Sequence, residues 1–338
     1  MRSLTDFTVN SMASATAKRN KITAAVLIIL LAVVAVKSLM VGKYELSFEK
    51  IISGDEMQKK VFYTLRLSRT VIAVVGGAVL GICGFVYQTV FRNPLASPDI
   101  IGVSSGASLG AAAGILWFGS ANAVTASSFA GAVSAVCLAV LLSSADKTGK
   151  KSTIVLAGIA VHALAQTALM CLKITADPDR ELASIEYWIM GSLASVTSYR
   201  IGANLIICAV VIIMLLLLHR QTVLLSADEG EAKMLGVSVG KIRLVILLLA
   251  TLAVSAVVSL TGLISFTGLI APHISRLITK SNRLITMVFS GLTGGIILCS
   301  ADILARSAAQ TELPVSIFTS LIGVPLLIFL TLKGRNVQ

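Results

Sequence analysis

His162 and Gln166 stand four residues apart in "GIAVHALAQTALM", on one helical face, and are the nearest thing in this chain to a polar pair with chemistry. Such a pair would suit a pathway lining; a helix–helix hydrogen bond explains it equally well and is the plainer reading. His219 and His273 have no comparable company. Cys83, Cys137, Cys171, Cys208 and Cys299 all fall inside apolar runs, without the paired spacing that holds a metal, and read as small buried hydrophobes. "DKTGKKST" (146–153) looks like a phosphate loop, but that loop needs a glycine five residues before its Gly-Lys, where Ser144 stands. "GVSVGKI" (236–242) fails the same spacing. No strained serine turn and no membrane-embedded His–Asp pair appears. The sequence therefore offers no catalytic site, no metal site and no nucleotide-hydrolysing core. If energy drives this chain, another subunit supplies it.

Four polar insertions are more telling. They are "FRNPLASPDIIGVSSGA" (91–107), "LLSADEGEAKMLGVSVGKIR" (224–243), "FTGLIAPHISR" (266–276) and "ADILARSAAQTELPVSIFTSLIGVP" (301–325). Each interrupts apolar sequence with prolines, glycines or charges. The surrounding chain is 56% hydrophobic and only 13% charged, with mean hydropathy +0.92. A soluble domain carries about 25% charged residues, so the solvent for most of this surface is lipid. A helix needs roughly 20 apolar residues to cross a bilayer. Ten runs qualify as candidates, near 22–42, 66–90, 99–118, 122–144, 153–173, 203–219, 243–262, 266–279, 285–302 and 314–332. The eighth is short and holds Pro272, His273 and Arg276. The runs lack the period-two alternation of a lipid-facing strand. The 26 glycines favour close helix–helix approach. The fold class is therefore all-α and polytopic, a compact bundle of about ten transmembrane helices. Irregular backbone at membrane depth survives only where protein buries it or water reaches it, so four such insertions suggest a translocation pathway.

With the N-terminus inside and the spans alternating, inner segments hold 17 of the 28 basic residues, while most acids fall outside. That bias places both termini in the cytoplasm. It also explains the net charge of +12 without any nucleic-acid partner. Basic residues precede 22–36 as in a signal peptide, but Lys37 and "SLMVGKYEL" offer no clean cleavage site. The first span is read as uncleaved, with Lys37 snorkelling outward. The organisation expected is a cytoplasmic tail at 1–21, with residues 1–17 loosely ordered, a transmembrane domain at 22–333 and a second cytoplasmic tail at 334–338.

From about residue 60 to the C-terminus the chain closely resembles the permease subunits of type II ABC importers for iron–siderophores, haem and cobalamin. The resemblance rests on "RLSRTVIAVVGGAVLGICGFVYQTVFRNPLASPDIIGVSSGA", "YWIMGS", "AKMLGVSVGKIR", "GLISFTGLIAPHISR", "ADILAR" and "GVPLLIFLTLK". One departure is visible: Ser68 stands where the family's Arg-Leu-Pro-Arg has proline, which is expected to loosen the start of the second span. The resemblance implies a cobalamin-importer-like permease fold in a bacterial plasma membrane. It implies pairing with a second permease, identical or a sister, around a central pathway. It also implies two cytoplasmic ATP-binding subunits, which use ATP and magnesium, and an extracytoplasmic binding protein, with no cofactor on this chain. Spans two to five and seven to ten would be inverted repeats.

The same resemblance assigns roles. Arg66, Arg69 and Arg306 match arginines that dock acidic residues on the binding protein's two lobes, a task suited to guanidinium forks. Plain headgroup anchoring is the competing explanation. Reversing charge at Arg66 and Arg69 is expected to abolish uptake while sparing membrane insertion. The segment 226–243 matches the ATPase-coupling element, with Ala227, Glu231, Ala232, Met234, Leu235, Gly236 and Val237 as its contact residues. Asn93, Pro94 and Leu95 match the cytoplasmic mouth of the pathway, and Lys151, Ser152 and Thr153 the opposing gate. The mechanism implied is alternating access without chemical change to the cargo. A secondary transporter or channel is the main alternative, and it would need ionisable groups at mid-membrane, of which the sequence shows almost none. A membrane scaffold for another enzyme would leave the outer arginines unexplained.

Overall fold

The computed structural model describes residues 2–53, 55–144, 151–226 and 239–334. All ten expected spans coincide with helices: α1 Arg2–Met40, α2 Ser68–Phe91, α3 Val103–Trp117, α4 Ala121–Ser144, α5 Lys151–Thr175, α6 Ser198–Leu217, α7 Val239–Thr261, α8 Thr267–Thr279, α9 Leu284–Ser307 and α10 Val315–Gly334. Seven helical stretches are long and apolar enough to cross a membrane by themselves; α3, α8 and α10 are shorter or more polar. Among the described residues there is no strand.

α1 corrects one expectation. Its helix begins at Arg2, so the stretch expected to be loose is helical. No glycine or proline occurs before Gly42, and nothing else in 2–40 breaks a helix. α2 likewise has no loose start. A π-turn, Val61–Leu67, runs straight into it, and the Ser68 hydroxyl donates to the Tyr63 carbonyl at 3.2 Å. The serine closes the turn with a donor that proline lacks.

Burial sorts the helices. The apolar window of α2 is 78% buried and those of α7 and α9 nearly as much, whereas that of α1 is 11% buried. α2, α7 and α9 are thus the core, around Ile72, Phe85, Tyr87, Ile246, Leu247 and Phe289. α2 and α9 touch backbone to backbone: a Cβ on Gly77 would strike the Gly294 carbonyl, and one on Gly81 the Ser290 carbonyl. α3 and α4 pair in the same way through Gly106, Gly110 and Gly131.

The two halves repeat one plan. In each, a long core helix (α2 or α7) is followed by an irregular stretch and then by a short helix (α3 or α8). Both short helices are entered through a left-handed residue, Gly102 at φ 83° and Phe266 at φ 64°. Glycine adopts that conformation freely; for phenylalanine it costs about 1–2 kcal/mol, so packing must hold it there. Gly323 of α10 does so, since a Cβ on it would strike Phe266.

Candidate functional site

Three polar places lie along the bundle. At the end of the bundle where α1 finishes and α2 begins, Arg66, Arg69 and Arg306 line one cleft, but none projects freely. Arg66 donates to the Leu39 and Met40 carbonyls at 3.1 and 2.6 Å and to that of Tyr44. Arg306 donates to the Ser38 and Val41 carbonyls at 3.1 and 2.9 Å and to the Ser38 hydroxyl at 2.7 Å. Two cations thereby cap the C-terminus of α1, where unpaired carbonyls and the helix dipole favour positive charge. Arg69 pairs with Asp302 through Nε and with Glu312 through a terminal nitrogen, both at 2.8 Å. Its other terminal nitrogen is buried without a partner among the described residues. Arg306 also lies 2.9 Å from Asp302 Oδ2, though off hydrogen-bond alignment. All three guanidinium groups border a cleft of about 190 Å³ with Lys43 and Glu312. Within this cluster, Lys43 and the three arginines against Asp302 and Glu312 leave an excess of two positive charges. The geometry corrects the simplest view of the double reversal at Arg66 and Arg69: it would strand Asp302 and set new carboxylates against the α1 carbonyls, so loss of uptake would not isolate docking.

The second place is a cavity of about 270 Å³ where the two irregular stretches meet. Its walls include Ser97, Asp99 and Ser104 from the first half and Ser265, Phe266 and Gly268 from the second. Depth follows from the packing. Gly158, seven residues into α5, lies against the Ile100 carbonyl, and Gly102 lies against Val161. At 1.5 Å per residue these contacts sit about 10–15 Å along α5 from its first residue, Lys151. Against a bilayer core of about 30 Å that is a third to a half of the thickness, so the turn Pro98–Ile101 and the start of α3 lie inside the bundle and well away from its end. The stretch expected to be an inner turn therefore climbs into the bundle. The exposed apolar residues of α5 (Leu156, Ile159, Leu164) and of α10 (Leu321, Val324, Ile328) belong to the two helices that pack on these stretches.

The third place is the loop after α2, expected from the sequence to be on the inner side. Phe91 ends α2, Arg92 turns left-handed at φ 50°, and the Asn93 side chain accepts from the Leu95 amide at 2.9 Å. Asn93, Pro94 and Leu95 are all exposed. Arg92 Nε donates to the Leu225 carbonyl at 3.4 Å, immediately before the expected coupling element. Lys151, Ser152 and Thr153 form the first turn of α5. Ala227, Glu231, Ala232, Met234, Leu235, Gly236 and Val237 lie outside the described residues.

Other expectations fared unevenly. Cys83, Cys208 and Cys299 are buried, but Cys137 and Cys171 are exposed on α4 and α5. His162 Nδ1 is buried with no partner among the described residues, so the expected helix–helix bond is not made through that nitrogen there. Two residues took on roles that the sequence had not suggested. Asp99 is one. Arg276 is the other: it reaches from α8 to the Gln88 side chain, lies 3.4 Å from the Thr89 hydroxyl, and stacks 5.2 Å over the Phe85 ring. Gln88 in turn donates to the Leu269 carbonyl at 3.0 Å, inside the turn that Pro272 disrupts. A lone basic residue beside a helix proline was the available signal.

A bundle with two internally broken halves meeting at a mid-depth cavity is the architecture of a multi-pass membrane permease. Residues 27–333 match the FecCD transport family, and the chain belongs to it. The chain is 32% identical to the molybdate import system permease protein MolB of Haemophilus influenzae, across 92% of this chain and 95% of that protein. It is 37% identical to the cobalamin import system permease protein BtuC of Halobacterium salinarum, across 84% of this chain and 76% of that protein. Its fold superposes on the inward-facing structure of a metal-chelate type ABC transporter with a TM-score of 0.83 and 34% identity, covering 91% of this chain and 97% of that one.

Proposed function

We propose that this chain is the permease subunit of an ATP-driven importer that carries an iron–siderophore, or else haem or a corrinoid, by alternating access across a bacterial plasma membrane. The observation that carries the reading is the meeting of two irregular stretches at one mid-depth cavity, in a chain whose sequence holds no energy-transducing site. Family membership and the metal-chelate transporter fold support it. In this reading both termini are cytoplasmic. Two ATP-binding subunits seat on the 226–243 segment, and a second permease, identical or a sister, completes the pathway. A binding protein presents its acidic residues to the outer cleft, whose excess positive charge steers the encounter.

Asp99, an ionisable group at mid-depth, favours a second reading as an ion-coupled secondary transporter. One reconstitution separates the two. The complete complex in sealed liposomes is expected to accumulate ferric chelate only with both binding protein and ATP present. Uphill accumulation by the permease alone, under an ion gradient and without nucleotide, would install the second reading instead.

A further inference from the structure

Asp99 is the unusual member of the mid-depth cavity. Among the described acids, Asp302 and Glu312 are paired with arginine, and Glu186 pairs with Lys173. Asp99 has no cation within ion-pairing distance among the described residues, and it is exposed to the cavity. Its carboxylate receives the Ser104 hydroxyl and, at 3.3 Å, the Ser97 hydroxyl. Across the cavity stand the exposed Ser265 and the left-handed Phe266. The remaining walls are apolar, among them Leu80, Val254 and Val258. A carboxylate on this wall with no counter-ion beside it acts on any charge that enters the cavity.

We propose that Asp99 makes this cavity a charge filter on the cargo path, admitting cationic or neutral metal chelates and disfavouring anionic ones. This rests on the import reading and deepens it by naming the charge class of the cargo. A purely structural Asp99 would serve only to receive the two serine hydroxyls beside the start of α3. An asparagine oxygen accepts in the same place, so Asp99→Asn removes the charge while leaving an acceptor. Asp99→Glu keeps the charge on a longer stem.

The decisive test needs no cargo. Ser265→Cys, in the assembled complex with Cys137 and Cys171 changed to serine, places a thiol on the cavity wall. A cationic trimethylammonium thiosulfonate and its anionic sulfonate counterpart then compete to label it. The cationic reagent is expected to react roughly ten-fold faster relative to its anionic partner when Asp99 is present than with Asp99→Asn. Asp99→Glu should retain the preference. An unchanged ratio across the three variants overturns the proposal.

Uptake supplies the second arm. Ferrioxamine B, a ferric trihydroxamate with one ammonium, is compared with its N-succinyl derivative, in which that cation becomes an anion. The ratio of their ATP-driven uptake should fall several-fold in Asp99→Asn, with the binding protein held constant. A ratio that does not move counts against the filter. If neither chelate enters with ATP and the binding protein, the chelate-import reading fails, while the labelling ratio still decides the site.

Discussion

Asp302 has no exposed surface and faces two guanidinium groups, which makes it the most consequential acid in the outer cluster. Removing one partner of a buried ion pair leaves an uncompensated charge and costs about 3–5 kcal/mol. Asp302→Asn should therefore lower the thermal unfolding midpoint in detergent markedly, and a variant as stable as the parent would show that the arginines do not depend on it. Glu312 is different. Its side chain is 29% exposed, and an exposed pair contributes about 0–1 kcal/mol. Glu312→Gln should leave the midpoint nearly unchanged, yet release a guanidinium nitrogen of Arg69 and raise the charge of the cleft by one. If an acidic partner docks there, its association rate should rise several-fold and fall more steeply with salt, measured by surface capture of the binding protein. Equal rates for parent and variant would remove Arg69 from the docking surface. The three arginines were legible in the sequence as a set, because their positions match a family pattern. Their pairing was not: Arg69 and Asp302 are 233 residues apart, and no local spacing links them.

At the scale of elements, contact between helices is set by what glycine leaves out. A Cβ on Gly84 would strike the Gly268 carbonyl, backbone against backbone, with no side chain free to swing aside. Gly84→Ala should cost about 1–3 kcal/mol, as overpacking does, and slow or abolish uptake by forcing α2 from α8. Gly202 on α6 has nothing within 4 Å of its absent Cβ. Gly202→Ala should be neutral or stabilise by about 0.5–1 kcal/mol, since the helix loses a flexible residue. Comparing the two unfolding midpoints in one detergent tests the packing; equal shifts would contradict it. Hydropathy located all ten of these helices because burial in lipid demands continuous apolar sequence. Depth stayed hidden for a physical reason. "NPLASPDI" has the same composition whether it turns at the surface or climbs into the bundle, and only its contacts with Gly158 and Gly268 distinguish the two. The helical start of α1 was missed because Ser- and Thr-rich composition lowers helix propensity without forbidding a helix that no proline or glycine interrupts.

Over the whole molecule, the proposed import requires that an event at one face of the bundle alter access at the internal cavity and at the cleft on the opposite face. The described chain offers one short physical route for the first step. Leu225 lies immediately before the segment matched to ATPase coupling, its carbonyl receives Arg92, and Arg92 opens the loop that carries Asn93 and Leu95 toward Pro98 and Asp99. A coupling path needs an element whose two arrangements both sites bias, and this loop, irregular and partly exposed between two ordered helices, meets the structural requirement. Arg92→Ala should therefore separate two quantities that move together in the parent. ATP hydrolysis by the assembled complex should persist within about two-fold, while cargo imported per ATP falls roughly five- to ten-fold, equivalent to about 1–1.4 kcal/mol of lost coupling. Measuring both rates in the same proteoliposomes checks this. A parallel loss of hydrolysis and uptake would mean that Arg92 supports assembly instead, and the route from Leu225 to Asp99 would have to be abandoned.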